Sequence, residues 1–270
     1  IAGNWNFVPV AAKGKSKLAI GNYQGIAFIE QTENSFTSKT AVPNFEESSR
    51  YMVADNQGNL WVSHPYHGVF RVSNQEATPS IIKYEKGKGI PTPLNNRFFK
   101  LDQEIVLATE NGIYKYARNT DMFIPHPQFE KTIGRKGTRY INEDSNGNYW
   151  FVQDKTVGVI NAPDNTITYL PELANKILSG FEFILPLDEQ NIFISGEKGI
   201  FHVNYLKYKE NIRPLKVEIR RLTVTNKNDS LIYGGFGKIG KPDSYSYKPS
   251  FGSNWKAIAS GGFQYGCQGI

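Results

Sequence analysis

The sequence predicts an all-β chain built as a β-propeller, followed by the start of a second β domain. Three observations predict it. A glycine-centred motif recurs at a period of about 40–46 residues. An Asp-led turn motif recurs at nearly the same period. Tyr, Phe and Gly are abundant (15, 17 and 25 residues of 270), and long helical periodicity is absent.

The glycine motif is an apolar run, a turn and a second apolar run. Its copies are Ile20-Gly-Asn-Tyr-Gln-Gly-Ile26, Trp61-Val-Ser-His-Pro-Tyr-His-Gly-Val69, Leu107-Ala-Thr-Glu-Asn-Gly-Ile113, Phe151-Val-Gln-Asp-Lys-Thr-Val-Gly-Val159 and Phe193-Ile-Ser-Gly-Glu-Lys-Gly-Ile200. The shared glycines Gly25, Gly68, Gly112, Gly158 and Gly199 are 43, 44, 46 and 41 residues apart. Each is expected to turn a hairpin. The second marker precedes the first: Asp55-Asn-Gln-Gly-Asn-Leu-Trp61 matches Asp144-Ser-Asn-Gly-Asn-Tyr-Trp150, with weaker copies at Asp102 and Asp188. Asp at such a turn bonds nearby backbone N–H groups, and Gly or Asn accepts positive φ. A third turn follows at Arg118-Asn-Thr-Asp121 and at Ala162-Pro-Asp-Asn165. Each unit is therefore about four short antiparallel strands. One such unit cannot bury both faces, whereas copies packed around an axis can.

Five glycine markers imply about five blades within residues 1–210, the first incomplete at its amino end. An open ring exposes strand edges, so either the ring closes at five with a strand borrowed across its ends or earlier blades precede these, and the second is expected. Tyr205 to Pro214 reads as a charged linker, and Glu172 to Ser179 as a helical turn or two. Leu215 to Thr225 alternates as a half-buried strand, and Leu231-Ile-Tyr233 begins another. Residues 211–270 are thus the start of a second β domain, divergent after about 237, where Gly, Ser and Lys dominate.

Composition excludes several classes. No run of about 18 apolar residues spans a membrane. The single Cys267 excludes a disulfide framework and multi-Cys metal sites. A formal charge of +6 spread along the chain gives little reason to expect nucleic acid. No nucleophile elbow, His-Glu-x-x-His or phosphate loop occurs, and Gly87-Lys-Gly89 and Gly134-Arg-Lys-Gly137 read as inter-blade loops. His64 and His67 in His-Pro-Tyr-His lack a third ligand in the sequence, so a hairpin loop is expected there and no metal. No cofactor is expected. The Asp series recurs from blade to blade, which fits a structural turn better than catalysis.

Repeat register yields one candidate site. Arg50, Arg97 and Arg139 each lie five residues before the marker Asp, and each is followed by an aromatic: Tyr51, Phe98 and Tyr140. In a propeller the first strand of each blade lines the central channel, so these positions form a ring at one mouth. Guanidinium forks suit anionic groups and aromatic rings stack on sugars, so the ring suits a small-molecule or glycan ligand, anionic in the sharpest version. The competing account makes the arginines inter-blade staples or rim residues, with nearby carboxylates as counterions. The fifth blade departs from the pattern, with Phe181, Glu182 and Phe183 in that region.

The Asp-x-x-Gly-Asn-x-Trp and Gly-[Ile/Val]-[Phe/Tyr] pattern resembles the two-component-regulator propeller repeat. Trp61 to Arg71, Ala108 to Tyr116, Arg139 to Asn148 and Val217 to Leu222 resemble, more particularly, the sensor region of bacterial triple-tyrosine-motif regulators. The resemblance covers about residues 17–235. It implies a propeller, then a tyrosine-motif β-sandwich, in a periplasmic, ligand-sensing segment without chemistry of its own. It also implies pairing of two chains through the carboxyl-terminal β domain, and an output module (a LuxR-type helix-turn-helix or a histidine kinase) with its membrane helix. None of these output parts is in this sequence, and Tyr245 and Tyr247 only faintly echo the tyrosine motif. The residues leave two other classes open. A five-bladed glycan hydrolase or lyase would need two convergent carboxylates from among Glu104, Glu110, Glu182 and Glu197. A protein-binding scaffold would show an apolar patch.

Overall fold

The computed structural model describes residues 3–10, 17–31, 35–39, 41–73, 79–211, 221–224 and 230–234. The chain divides into two units, Ile1–Ile212 and Arg213–Ile270.

The first unit is a propeller arrangement of five antiparallel sheets. Blade 1 holds β1 (Asn4–Val10), β2 (Lys17–Asn22), β3 (Gly25–Gln31) and β4 (Phe36–Lys39). Blade 2 holds β5 (Tyr51–Ala54), β6 (Leu60–His64), β7 (Gly68–Val72) and β8 (Ile81–Tyr84). Blade 3 holds β9 (Arg97–Leu101), β10 (Glu104–Thr109), β11 (Gly112–Ala117) and β12 (Met122–Pro125), and is followed by helix α1 (Pro127–Ile133). Blade 4 holds β13 (Thr138–Glu143), β14 (Tyr149–Gln153), β15 (Thr156–Ile160) and β16 (Ile167–Leu170). Blade 5 holds three strands, β17 (Ile184–Asp188), β18 (Asn191–Gly196) and β19 (Gly199–Val203). In each sheet the strands pair in sequence order. The leading strands β1, β5, β9 and β13 lie side by side, so they form the inner wall.

Apolar layers fill the spaces between sheets. Val10, Ile26 and Phe28 of blade 1 meet Met52, Leu60 and Val62 of blade 2. Trp61 and Tyr84 meet Phe98, Leu107 and Phe123 between blades 2 and 3. Phe129 of α1 joins Val106, Ile141 and Phe151 between blades 3 and 4. Trp150, Val157 and Tyr140 meet Ile184, Ile192 and Tyr205 between blades 4 and 5. Burying one large apolar side chain is worth ~1.5–3 kcal/mol, so these layers dominate the stability of the unit. The outward face of blade 5 carries Leu185, Leu187 and Ile200, and that of blade 1 carries Phe7, all exposed. Among the described residues, therefore, blades 1 and 5 do not bury these faces against each other, and no strand is shared between their sheets.

The Asp turns are structural. Asp55 Oδ1 accepts the N–H groups of Gln57 and Asn59, each at 2.9 Å, and its Oδ2 accepts the Trp61 indole N–H at 3.0 Å. Asp144 repeats the arrangement with Asn146, Asn148 and Trp150. The carboxylate thereby closes the first hairpin and fixes the tryptophan that fills the next layer.

Four readings are corrected. Blade 1 is not incomplete, since it holds four strands, and the blade with three is blade 5. Gly158 does not turn a hairpin: it sits inside β15 opposite Phe151, and a Cβ there would lie 2.4 Å from that ring. The turn is Asp154-Lys155, both at positive φ (46° and 60°). The residue opening the third strand of blade 4 is Thr156, so Gly25, Gly68, Gly112, Thr156 and Gly199 are equivalent, at intervals of 43, 44, 44 and 43. Residues Tyr205–Asn211 form helix α2 instead of a linker. Asn204 Oδ1 accepts the Lys207 N–H at 2.9 Å as its N-cap, and buried Tyr205 donates to Asn161 Oδ1 at 2.7 Å, which holds α2 against blade 4. Between Glu172 and Ser179 the one helical element is a 3-10 turn, Pro171–Leu173.

In the second unit β20 (Arg221–Val224) and β21 (Ser230–Gly234) form an antiparallel hairpin. The rest of the expected strand from Leu215, the Tyr245 and Tyr247 pair, and residues 238–270 lie outside the described residues.

Candidate functional site

Alternating strand direction places two features at the same end of every sheet. One is the start of the leading strand; the other is the middle hairpin, between the second and third strands. Arg50 immediately precedes β5, Arg97 opens β9 and Arg139 is the second residue of β13, so all three come to one mouth of the inner wall. Register confirms it, since Arg97 pairs with Ala108, next to the hairpin at Glu110-Asn111.

The segment that leads into β17 folds over that mouth. Arg97 is 6% exposed, and its Nη1 donates to Glu182 Oε2 at 2.5 Å and to the Arg139 carbonyl at 2.7 Å. Glu182 Oε2 also accepts the Gly180 N–H at 3.1 Å. The Arg97 guanidinium lies 4.9 Å from the Tyr51 ring, and its buried Nε has no hydrogen-bond partner. Arg50 donates to the Gly180 carbonyl at 2.5 Å and stacks on three rings: Phe181 at 4.8 Å, Trp5 at 5.0 Å and Tyr51 at 5.2 Å. Blades 2 and 3 thus grip the start of blade 5 across the mouth. The counterion for Arg97 is supplied by the chain itself.

Arg139 behaves differently. Its side chain is a third exposed, and Glu110 Oε1 is 3.4 Å from its Nη2. Glu110 Oε1 also accepts from Asn95 Nδ2 at 2.7 Å. A half-exposed pair with a long contact contributes little, ~0–1 kcal/mol, and exchanges readily for another anion. Arg139 lines a cavity of about 330 Å³ with Glu110, Gly137, Asp154, Lys155 and Glu182. Phe181 and Phe183, which flank the cavity residue Glu182 in sequence, are more than half exposed.

The structure therefore brings together Arg50, Tyr51, Arg97 and Arg139. It sets Phe98 apart, in the layer between blades 2 and 3, 3% exposed and 5.7 Å from the Trp61 ring. Tyr140 is also buried, and its hydroxyl donates to the Ile184 carbonyl at 2.9 Å, a bond from blade 4 to blade 5. Burial pushes the Tyr140 phenol up to about 12. Sequence reading did not link Asp154 and Lys155 to the cavity, because that hairpin had been placed at Gly158. Of the carboxylates weighed for hydrolysis, Glu104 opens β10, at the opposite end of the sheet, 2.9 Å from His126 Nε2. Glu110 and Glu182 share the cavity, and the Oε2 of Glu182 is already taken by Arg97 and Gly180.

A second cluster lies on the middle hairpin of blade 2. His64 and His67 stack with ring centroids 4.0 Å apart, and Glu47 Oε2 is 2.7 Å from His67 Nδ1. The third potential ligand absent from the local sequence is present in space.

No protein-family model matches the chain, and no curated protein matches it. The extracellular domain of a proposed one-component system of B. thetaiotaomicron, BT4673, is similar at a TM-score of 0.49 and 19% identity, over 70% of this chain and 26% of that one. The extracellular domain of a proposed hybrid two-component system of the same organism, BT3049, gives 0.49 and 17%, over 71% and 26%. Virginiamycin B lyase from Staphylococcus aureus gives 0.42 and 14%, over 74% and 69%. The match spans about a quarter of the length of the two sensor domains. The propeller assignment rests on the chain's own five sheets and the four layers between them.

Proposed function

We propose that the chain is the ligand-recognition segment of an extracytoplasmic bacterial sensor. It docks a hydroxyl-rich molecule of the glycan class, bearing an anionic group, at the propeller mouth, and does not transform it. One observation carries the choice of site. Arg97 is neutralised inside the fold by Glu182, whereas Arg139 keeps a weak, exposed partner in a cavity that also holds Lys155 and Asp154. Cations and carboxylates side by side offer the donors and acceptors that a polyol requires, and a guanidinium fork suits a carboxylate or sulfate. The exposed Phe181 and Phe183 rings offer stacking faces at the rim. The longer motif phrases, Trp61 to Arg71 above all, support the sensor reading.

The geometry also suggests a relay. The segment around Gly180 belongs to blade 5 yet is held by Arg50 and Arg97 from blades 2 and 3. A ligand on Arg139 and Ser179 touches both sides of that grip. It would favour one arrangement only through a differential affinity for it. From blade 5 the chain runs on through α2 toward the second unit.

The test is a thermal-shift screen of the chain against neutral, uronate-bearing and sulfated glycans. A ligand at 100 times its Kd stabilises by about 2.7 kcal/mol, which for a unit of this size is a rise of ~5–10 °C. An acidic glycan is expected to give such a rise, and Arg139→Ala is expected to abolish most of it. A flat screen, or a shift indifferent to Arg139→Ala, would overturn the reading.

A further inference from the structure

The middle hairpin of blade 2 breaks the repeat. In the other four blades two residues join the second and third strands: Tyr23-Gln24, Glu110-Asn111, Asp154-Lys155 and Glu197-Lys198. Blade 2 has three, Pro65, Tyr66 and His67. A departure from an otherwise regular unit is where function beyond the scaffold is to be sought. Here the longer turn carries His67 back over His64, with the rings 13° from parallel. The loop before β5 adds Glu47, whose Oε2 is 4.0 Å from His64 Nε2. One donor atom from each of the three side chains lies within 4.8 Å of the others. Two of the chain's four histidines thus meet a carboxylate 20 residues before His67.

We propose that Glu47, His64 and His67 form a binding site for one divalent transition-metal ion of the zinc type. Two imidazoles and a carboxylate are a donor set that zinc accepts and that magnesium or calcium, which prefer all-oxygen shells, do not. Exposure grades outward through the cluster. The His64 side chain is 14% exposed, Glu47 31% and His67 57%. The inner histidine is therefore anchored by the fold and the outer one is free to close on an ion. Three protein ligands leave a coordination position open. Glu47 and His67 also line a cavity with Tyr66, Lys83, Glu85 and Lys86, in which Glu85 already pairs with Lys83 at 2.8 Å, so water is the expected fourth ligand.

Loading the site has a definite cost. His64 Nδ1 accepts the N–H groups of Tyr66 and His67, both at 3.1 Å, so the proton of neutral His64 sits on Nε2. An ion at Nε2 requires the other neutral tautomer, so the proton moves to Nδ1 and the two turn hydrogen bonds give way. His67 must turn its ring off His64, since stacked rings cannot both aim a lone pair at one ion. Tetrahedral zinc at ~2.0–2.1 Å holds its donors ~3.4 Å apart, so the 4.0 Å His64–Glu47 separation closes and the 2.7 Å Glu47–His67 separation opens. Binding is accordingly weaker than at a closed four-ligand structural site.

Isothermal titration of the full chain with zinc chloride tests this. The expected result is one equivalent bound, competition by nickel and no heat from magnesium. His67→Ala and Glu47→Gln are each expected to weaken zinc binding by at least about tenfold. His202→Ala, on blade 5, is expected to leave it unchanged. Circular dichroism of each variant should match the parent, because His67 and Glu47 are partly solvated. Absence of zinc binding up to about 1 mM, or stoichiometric binding undiminished in both His67→Ala and Glu47→Gln, would overturn the proposal.

Discussion

Arg97→Met isolates a buried charge. It retains much of the aliphatic stem and removes the guanidinium from a pair whose side chains are 8% and 3% exposed. Glu182 is then left with one backbone donor, Gly180 N–H. Breaking a buried pair from one side costs about 3–5 kcal/mol, because the remaining charge is desolvated and uncompensated. With about 2–4 °C lost per kcal/mol in a unit of this size, the melting temperature should fall by ~6–20 °C. Glu182→Leu should cost a similar amount by stranding Arg97. The double variant Arg97→Met/Glu182→Leu should recover most of the loss, since apolar replacement of a buried pair is often neutral or stabilising. Urea unfolding followed by the fluorescence of buried Trp61 and Trp150 supplies the four free energies of the cycle. Single variants each costing under about 1 kcal/mol, or a double variant equal to their sum, would refute the clasp across the mouth.

Two further predictions follow from the turns. Asp144→Ala removes the acceptor of the Asn146, Asn148 and Trp150 N–H groups and leaves a buried indole N–H unpaired; about 2–4 kcal/mol should be lost in urea unfolding, and Asp144→Asn should lose less. Burial and the neighbouring Asp102 raise the Glu143 carboxyl above its usual 4.5. The unfolded chain therefore gives up that proton first, and the carboxylate costs stability as pH rises above 4.5. Glu143→Gln should accordingly raise the melting temperature at neutral pH, with a gain that vanishes below 4.5; a gain independent of pH would refute this.

What the sequence made legible was local. Asp55 and Asp144 announce their turns because the bonding partners lie within six residues. The blade period was visible for the same reason. It was blurred once, at Gly158, because Asp154 and Lys155 adopt the positive φ that glycine supplies elsewhere. Gly158 answers a different need, room for the Phe151 ring. Helix α2 was missed because its charge drew attention from Asn204 as cap and from Tyr205 and Tyr208, spaced for one helical face. The arginine register was legible and its counterion was not. Glu182 is 85 residues from Arg97, and only the packing of successive blades around the inner wall brings them together. A hint existed, since blade 5 lacks the arginine that blades 2, 3 and 4 carry and has Glu182 there instead. The third ligand beside His64 and His67 was hidden likewise, because Glu47 comes from an inter-blade loop.

Amide hydrogen exchange with and without the glycan that stabilises the chain most reads the location of binding directly. Protection confined to 178–183, to the hairpins at 110–111 and 154–155 and to 137–139 is the predicted result. Protection confined to the opposite end, at the turns of Asp55, Asp102 and Asp144, or spread over the exposed face of blade 5, would contradict it.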